Sequence, residues 1–195
     1  MITMSIYKNL PRSESFEAIM IDPPWAYNDR INDHSRGAIN HYPTLTVEQL
    51  KQLDINQYCH EDTHLYLWTT KDFRCEAMKL ITHWGFVFKT EYIWVKIKKA
   101  SINKEEYEDN DVRIGMGHWN RLCHEYLLFA IRKSSKRRPL NGKREPSVFF
   151  STVERGHSGK PEKGYELIER NSNPPYLELF ARNRREGWTC WGNEV

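Results

Sequence analysis

Short apolar runs alternate along the chain with segments of helical periodicity. The apolar runs predict strands over 17–21, 65–69, 87–95, 126–131, 148–151 and 176–180. The segments 46–53, 73–85 and 160–171 are predicted to be helical, since the first begins with Thr46 and Gln49 in capping-box spacing and the second ends at Gly85. This alternation predicts an α/β fold with a mostly parallel sheet.

Basic residues are concentrated in one segment that lacks apolar periodicity. Residues 132–144 hold seven of the 29 Lys and Arg residues and no acid, which leaves 22 basic against 26 acidic residues elsewhere. A basic loop on a mildly acidic body is typical of a polyanion contact, and a solvated, flexible loop is the alternative. We expect mobile loops near 28–41, 98–118 and 132–147.

The remaining composition excludes several classes of protein. The 195 residues suffice for one domain, and the four cysteines form no C-x-x-C pair. The spacings of His118, His124 and His157 with Cys123 match no zinc pattern, so no metal is expected. Without a signal peptide, or an apolar run near the ~20 residues that span a membrane, we expect a soluble cytoplasmic protein that does not enter the membrane.

The segment IMIDPPWAY places unusual chemistry at a strand end. Pro23 and Pro24 cannot continue a strand inside a sheet, so Asp22 is predicted to lie at its carboxyl end, where open α/β sheets bind ligands. The Asp22 carboxylate and the Pro23 carbonyl are two acceptors, which suit an –NH₂ group. The Trp25 indole offers a face for stacking a base, worth ~1–3 kcal/mol. A tight turn with a packed tryptophan is the alternative.

Several segments in one order carry a family resemblance. They are FEAIMIDPPWAY, HYPTLTVEQL, HLYLWTT, YIWVK, GHWNRLCHEYLLFA, HSGKPEKGYELIER and LELFARNRREGWTCWGNEV. The chain resembles the adenine N-6 methyltransferase family named after the seventy-kilodalton subunit of the mRNA adenosine methyltransferase, whose bacterial and phage members are small single domains. The resemblance implies one Rossmann-like methyltransferase domain over 1–195, with helices on both faces of the sheet and the catalytic motif before the cofactor motif.

The resemblance also implies S-adenosylmethionine as the cofactor and assigns residues to it. The implied catalytic residues are Asp22, Pro23, Pro24 and Trp25, and the implied cofactor-binding residues are Asp22, Lys160, Phe180, Arg182, Asn193 and Glu194. Lys160 is expected to bind the methionine carboxylate, with a solvated first-turn lysine as the alternative. For Arg182, Asn193 and Glu194 the alternative is ordinary hydrogen bonding. Residues 4–6 lack the acid that some relatives use for the cofactor adenine.

Target recognition is assigned to a third set of residues. They are Tyr27, Tyr42, Arg121, Glu125, Arg137, Arg138 and Lys143. Arg121, His124 and Glu125 resemble the substrate side of the family, although an ion pair between Glu125 and Arg121 would explain both equally well. Tyr42 has a plain surface role as its alternative. The basic loop suits phosphate contacts, which are sequence-independent and weaken with salt.

Three functions follow as hypotheses. The first is methyl transfer to the 6-amino group of adenine in DNA, in a bacterial or phage-encoded protein that is a monomer or homodimer or has a protein partner. A paired adenine must then be flipped out of the duplex, at a cost of a few kcal/mol. The second is the same chemistry on RNA. The third is a catalytically silent nucleic-acid-binding partner subunit, which would fail to bind S-adenosylmethionine.

Overall fold

The computed structural model describes residues 14–26, 44–102, 104–115, 119–135, 144–153 and 159–195. The strands of the described residues are β1 (Phe16–Ile21), β2 (Cys59–Thr69), β3 (Phe86–Ile97), β4 (His124–Arg132), β5 (Val148–Thr152), β6 (Tyr176–Leu179) and β7 (Trp188–Trp191). The α-helices are α1 (Val47–Lys51), α2 (Arg74–His83) and α3 (Glu162–Asn171).

The described strands form one sheet in the order β5-β3-β4-β2-β1-β6-β7. Strand β1 is parallel to its neighbours β2 and β6, and the pairs β6–β7 and β3–β5 are also parallel. Strand β4 is antiparallel to both β2 and β3. The amino end of β4 therefore lies at the same edge of the sheet as the carboxyl ends of the other strands. This edge carries the site described below.

Helices cover both faces of the sheet, which confirms the predicted α/β architecture. Successive side chains of a strand point to opposite faces, so Ile19 and Ile21 of β1 join one apolar cluster while Met20 joins the other. The first cluster includes buried residues of α1 and α2, namely Leu50, Ala77, Leu80 and Ile81. The second includes Leu167 and Ile168 of α3. We call these surfaces the α1/α2 face and the α3 face.

Most of the predicted elements are confirmed, with differences at their ends. The Thr46–Gln49 capping box is present, and Gly85 has the positive φ of 80° that suits a helix-terminating glycine. Pro161 is the N-cap of α3 rather than a residue of its first turn. Strand β7 was not predicted, because its four residues alternate too briefly to signal a strand without the pairing to β6.

One of the predicted loops has ordered local structure where it is described. Short 3₁₀ turns span Lys99–Ser101 and Asp109–Asp111. The buried Asp111 carboxylate accepts hydrogen bonds from the Ser101 hydroxyl at 2.6 Å and from the Glu108 backbone N–H at 3.0 Å. The predicted loop 28–41 and residues 136–143 of the loop 132–147 lie outside the described residues. Within the described ranges, every helix is too short or too polar to cross a lipid bilayer.

Candidate active site

The turn after β1 is fixed by backbone hydrogen bonds on both sides. The Asp22 N–H donates to the Leu179 carbonyl of β6 at 3.3 Å. The Leu45 N–H donates to the Pro24 carbonyl at 2.8 Å, and the Trp25 N–H donates to the Pro23 carbonyl at 2.9 Å. Since each proline also fixes its own φ, the backbone after Asp22 has little freedom. The sequence DPPW thus holds a carboxylate at the carboxyl edge of the sheet.

A row of alternating charges runs from Asp22 across this edge. The Lys160 Nζ lies 2.8 Å from Asp22 Oδ2 and 3.3 Å from Glu125 Oε2. Glu125, near the amino end of the reversed strand β4, also accepts from the Lys96 Nζ of β3 at 2.5 Å. We call Asp22, Lys160, Glu125 and Lys96 the charge row. Lys160 is buried, so the alternative of a solvated first-turn lysine is wrong.

The pKa values of the two carboxyl groups in the row are shifted in opposite directions. Burial raises the pKa of the Asp22 carboxyl above its ordinary value, although Lys160 acts in the opposite direction. Burial acts the same way on Glu125, but Lys160 and Lys96 outweigh it and hold the pKa of Glu125 below its ordinary value. Burial lowers the pKa of Lys160, and the two carboxylates outweigh that effect and raise it. Asp22 is therefore the acid of the row that takes up a proton more easily.

The Asp22 carboxylate opens onto a pocket of about 300 Å³ at the same edge. This volume lies at the lower end of the range for small-molecule sites, roughly 300–1,000 Å³. The lining includes the predicted cofactor residues Asp22, Lys160, Phe180 and Arg182. It also includes residues that the sequence analysis did not single out, among them Tyr165, Glu178 and Arg185.

Glu178 is the most unusual of the additional pocket residues. It lies in β6 between two buried leucines, is itself buried, and accepts a hydrogen bond from the Tyr165 hydroxyl at 3.0 Å. Burial raises the pKa of Glu178 to about 7, against the opposing effect of that hydrogen bond. An acid inside the apolar run LELF was the available sequence signal, because acids are almost never fully buried without a partner.

The ends of β6 and β7 form one rim of the pocket. Phe180 has a positive φ of 66°, which is uncommon for a residue other than glycine. Residues with such backbone angles are found often at binding sites. The Ala181 N–H donates to the Trp191 carbonyl at 2.9 Å, and Gly192 packs directly against Ala181. The predicted cofactor residues Asn193 and Glu194 follow Gly192. They are exposed beside this rim rather than part of the pocket lining described above.

The Trp25 indole lies on the other side of the sheet from the charge row. It belongs to the α1/α2 face, is 6% exposed and stacks on Phe73 with ring centroids 5.0 Å apart. This arrangement corresponds to the packed-tryptophan alternative and corrects the expectation of an open ring face for a base. The physical reason is the turn itself, which carries the chain over the sheet edge between Asp22 and Trp25.

The predicted substrate-binding residues are only partly described. Glu125 binds Lys96 and Lys160, which the sequence analysis did not anticipate, since it considered Arg121 as the partner. Arg121 is exposed just before β4. The other predicted substrate residues, Tyr27, Tyr42, Arg137, Arg138 and Lys143, lie outside the described residues. Over the described ranges, no three His, Cys, Asp or Glu side chains are grouped as metal ligands would be.

A mostly parallel seven-stranded sheet with one reversed strand, and a charged pocket at its carboxyl edge, define a Rossmann-like methyltransferase fold. The family model MT-A70 matches residues 16–194, and the chain belongs to this family of N6-adenine methyltransferases. The match confirms the resemblance drawn from the sequence segments, which extend over nearly the same range.

Three relatives align with similar shares of this chain, but the alignments span different shares of the relatives themselves. The chain is 27% identical to the Type II methyltransferase M.MunI of Mycoplasma sp, over 97% of this chain and 82% of that protein. It is 30% identical to the mouse N(6)-adenine-specific methyltransferase METTL4, over 93% of this chain and 38% of that protein. It is 30% identical to the N6-methyladenosine RNA methyltransferase MTA1 of Cryphonectria parasitica, of which it spans 52%. The chain thus spans most of the first relative and about half or less of the other two.

Proposed function

We propose that the protein transfers a methyl group from S-adenosylmethionine to the exocyclic 6-amino group of adenine in DNA. The observation that carries this proposal is the Asp22 carboxylate, held at the end of β1 by a rigid turn and open to the pocket shared with Lys160 and Arg182. Open α/β sheets bind ligands at this edge. The proposal extends the family membership to a particular cofactor, atom and polymer, and we expect the reaction to take place in the cytoplasm.

The pocket residues have the charges that the cofactor requires. S-adenosylmethionine carries a carboxylate, an ammonium and a sulfonium, and when bound it supplies an activated methyl group. Lys160 and Arg182 would bind its carboxylate and ribose diol, while the acids Asp22 and Glu178 favour its positive groups. The Lys160 ammonium has three donors and faces two carboxylates, so a third anionic partner need not displace either of them. We further propose that Asn193 and Glu194 contribute from the rim beside Phe180.

The reaction requires hydrogen-bond acceptors that make the adenine amine more nucleophilic. Its lone pair is delocalised into the ring, so acceptors on both N–H groups favour a pyramidal nitrogen. Asp22 supplies one acceptor and the Pro23 carbonyl supplies the other, since its oxygen has a second lone pair besides the one used by the Trp25 N–H. As the amine nitrogen takes the methyl group, the bond from that methyl to the sulfonium sulfur breaks and a neutral thioether leaves; the nitrogen is positive until one of its protons passes by way of Asp22 to solvent. The Asp22 carboxylate stabilises that charge, and alignment supplies much of the rate gain.

DNA is favoured over RNA by the comparison of lengths. The relative of which this chain spans 82% is a Type II methyltransferase, whereas the relative whose name specifies RNA is spanned to 52%. The chemistry of the pocket is the same for both polymers. We propose that the target adenine is unpaired or flipped before reaction, since a stacked, paired base cannot present its amine to Asp22. The basic segment around Arg137, Arg138 and Lys143 would bind phosphates.

A labelled-methyl assay tests this function directly. Single-stranded DNA, duplex DNA and RNA are incubated with methyl-labelled S-adenosylmethionine, and the products are digested to nucleosides and separated. We expect label in N6-methyladenine from DNA, no label with Asp22→Ala, and normal activity with the control Glu61→Gln, an exposed acid in β2. Label in methylcytosine contradicts the adenine assignment, and label only with RNA contradicts the choice of polymer.

Cofactor titration separates the enzyme from a silent partner subunit. We expect the wild type and Asp22→Ala to bind S-adenosylmethionine in calorimetry, with Asp22→Ala weaker because one acid of the pocket is gone. A wild-type protein that binds nucleic acid but not the cofactor would contradict the proposed function and support the silent-partner hypothesis.

A further inference from the structure

We propose that Glu125 and Lys96 are positioning residues, which set how strongly Lys160 holds the Asp22 carboxylate and thereby tune Asp22 for the amine. This inference rests on the proposed function for its catalytic consequence, but its structural part concerns this chain alone. Neither residue needs to touch the cofactor or the base in order to act in this way.

The geometry gives Lys160 two competing partners. Its Nζ lies 2.8 Å from Asp22 Oδ2 and 3.3 Å from Glu125 Oε2, so the ammonium is shared and lies nearer to Asp22. Glu125 is shared in turn, because its other oxygen, Oε1, lies 2.5 Å from Lys96 Nζ. Each inner member of the charge row therefore divides its attraction between two neighbours of opposite charge.

Burial strengthens the electrostatic interactions between members of the charge row. The Lys160 side chain is 6% exposed, and those of Asp22 and Glu125 are each 13% exposed. Buried pairs are screened much less than surface pairs, so removing one charge alters the whole row. The two lysines are also held by aromatic rings, with Lys160 Nζ 5.4 Å from the Trp68 ring centroid and Lys96 Nζ 5.0 Å from that of Trp94.

Glu125 and Lys96 therefore have opposite effects on the pKa of Asp22. Without the Glu125 charge, Lys160 has Asp22 as its one carboxylate partner in the row. A negative charge near Asp22 is also lost, and both changes lower the pKa of Asp22. Without the Lys96 charge, Glu125 depends on Lys160 alone and draws the ammonium away from Asp22, which raises the pKa of Asp22. A purely structural role for either residue predicts no such opposition.

Other charged or titratable groups face Asp22 and are common to both variants. They are Arg182 from the segment after β6, Glu178 from β6, and the Tyr165 hydroxyl from α3. Because Glu125→Gln and Lys96→Met leave these groups in place, the difference between the two variants reports on the charge row. Glu125→Gln keeps the size of the side chain, and Lys96→Met keeps most of its length.

The experiment compares the pH dependence of Glu125→Gln, Lys96→Met and the wild type. Relative to the wild type, the acid limb of kcat/KM for adenine methylation should move down by about one pH unit in Glu125→Gln and move up in Lys96→Met. Lys96→Arg, which keeps the charge, should restore the wild-type midpoint. Shifts of both variants in the same direction, or unmoved midpoints in folded variants, would overturn the inference.

A second readout does not depend on activity. The Asp22 carboxyl is titrated by carbon-13 NMR in protein labelled at aspartate, with Asp22→Asn identifying the resonance. The same opposite shifts are expected there, and their absence would contradict the inference even in an active enzyme. If the opposite shifts are found but no polymer is methylated, the positioning of Asp22 stands and the proposed function fails. If Glu125→Gln does not fold, Glu125→Asp replaces it and must lower the pKa of Asp22 relative to the wild type; if Lys96→Met does not fold, Lys96→Gln replaces it and must raise that pKa.

Discussion

The two faces of the sheet use the same strands but carry different kinds of side chain. The α1/α2 face buries a cluster of aliphatic and aromatic residues, including Leu80, Ile81 and Trp84 of the α2 region. The α3 face has a comparable apolar cluster, but at the carboxyl edge it also holds the charge row and the buried acid Glu178. Strand alternation accounts for the position of Asp22 on this face, since it follows Met20 at a spacing of two.

This difference indicates a division of roles between the two faces of one sheet. Apolar packing stabilises in proportion to the area removed from water, roughly 25 cal/mol per Å². Buried charges give no such return, because their desolvation offsets much of their mutual attraction. We infer that packing on the α1/α2 face contributes most to the free energy of unfolding. The α3 face contributes less, because it forms a pocket with defined charges.

The largest effect is expected for Trp84→Ala on the α1/α2 face. Trp84 is 1% exposed at the end of α2, and its removal should lower the free energy of unfolding by about 3–5 kcal/mol because of the cavity left behind. Urea denaturation measures this loss. Methyl transfer per folded molecule should be unchanged, and a fall in that rate beyond the loss of folded protein would show that the two faces are not separable.

The next effect concerns Glu178 on the α3 face. Burial raises its pKa from 4.5 to about 7, so between these values the folded chain keeps a proton that the unfolded chain has released. The Glu178 contribution to the free energy of unfolding therefore falls as the pH rises through this range, by about 3 kcal/mol in all, and is constant above it. Glu178→Gln, whose amide oxygen can still accept from Tyr165, should remove this slope in urea denaturation between pH 5 and 8. An equal slope in both proteins would contradict the prediction.

The sequence predicted the fold better than it predicted the contacts of the site. Regular apolar runs identified the buried strands and the α2 face from Ala77 to Trp84, because these patterns follow from local geometry. The DPPW motif identified the strand end at which Asp22 lies. The sharing of Lys160 by Asp22 and Glu125 could not be predicted, since Asp22 lies over 100 positions before both partners and the reversal of β4 brings Glu125 to the same edge.

A third prediction compares two glycines near the pocket rim. A Cβ at Gly192 would lie 2.1 Å from the Ala181 carbonyl oxygen, so Gly192→Ala must displace the segment that carries Phe180 and Arg182. Gly187 is the matched control, because its φ of 77° makes alanine unfavourable there while no atom lies within 4 Å of the added carbon. Both variants should lose stability, but only Gly192→Ala should weaken cofactor binding, by about tenfold in calorimetry. Equal weakening in both would show that the rim is not a specific part of the pocket.

The smallest effect is expected at the start of α1, where the α1/α2 face approaches the turn after β1. Thr46 accepts a hydrogen bond from the Gln49 N–H at 3.3 Å and follows Leu45, which is bonded to the Pro24 carbonyl. Thr46→Ala should lower the free energy of unfolding by about 1 kcal/mol and leave kcat unchanged, since the prolines and the bond to β6 still fix the turn. Gln49→Ala, which removes only the reciprocal bond to the Thr46 N–H, is the control. A larger fall in kcat for Thr46→Ala than for Gln49→Ala would mean that Leu45 transmits the helix position to Asp22, and that the two faces are not independent at the turn after β1.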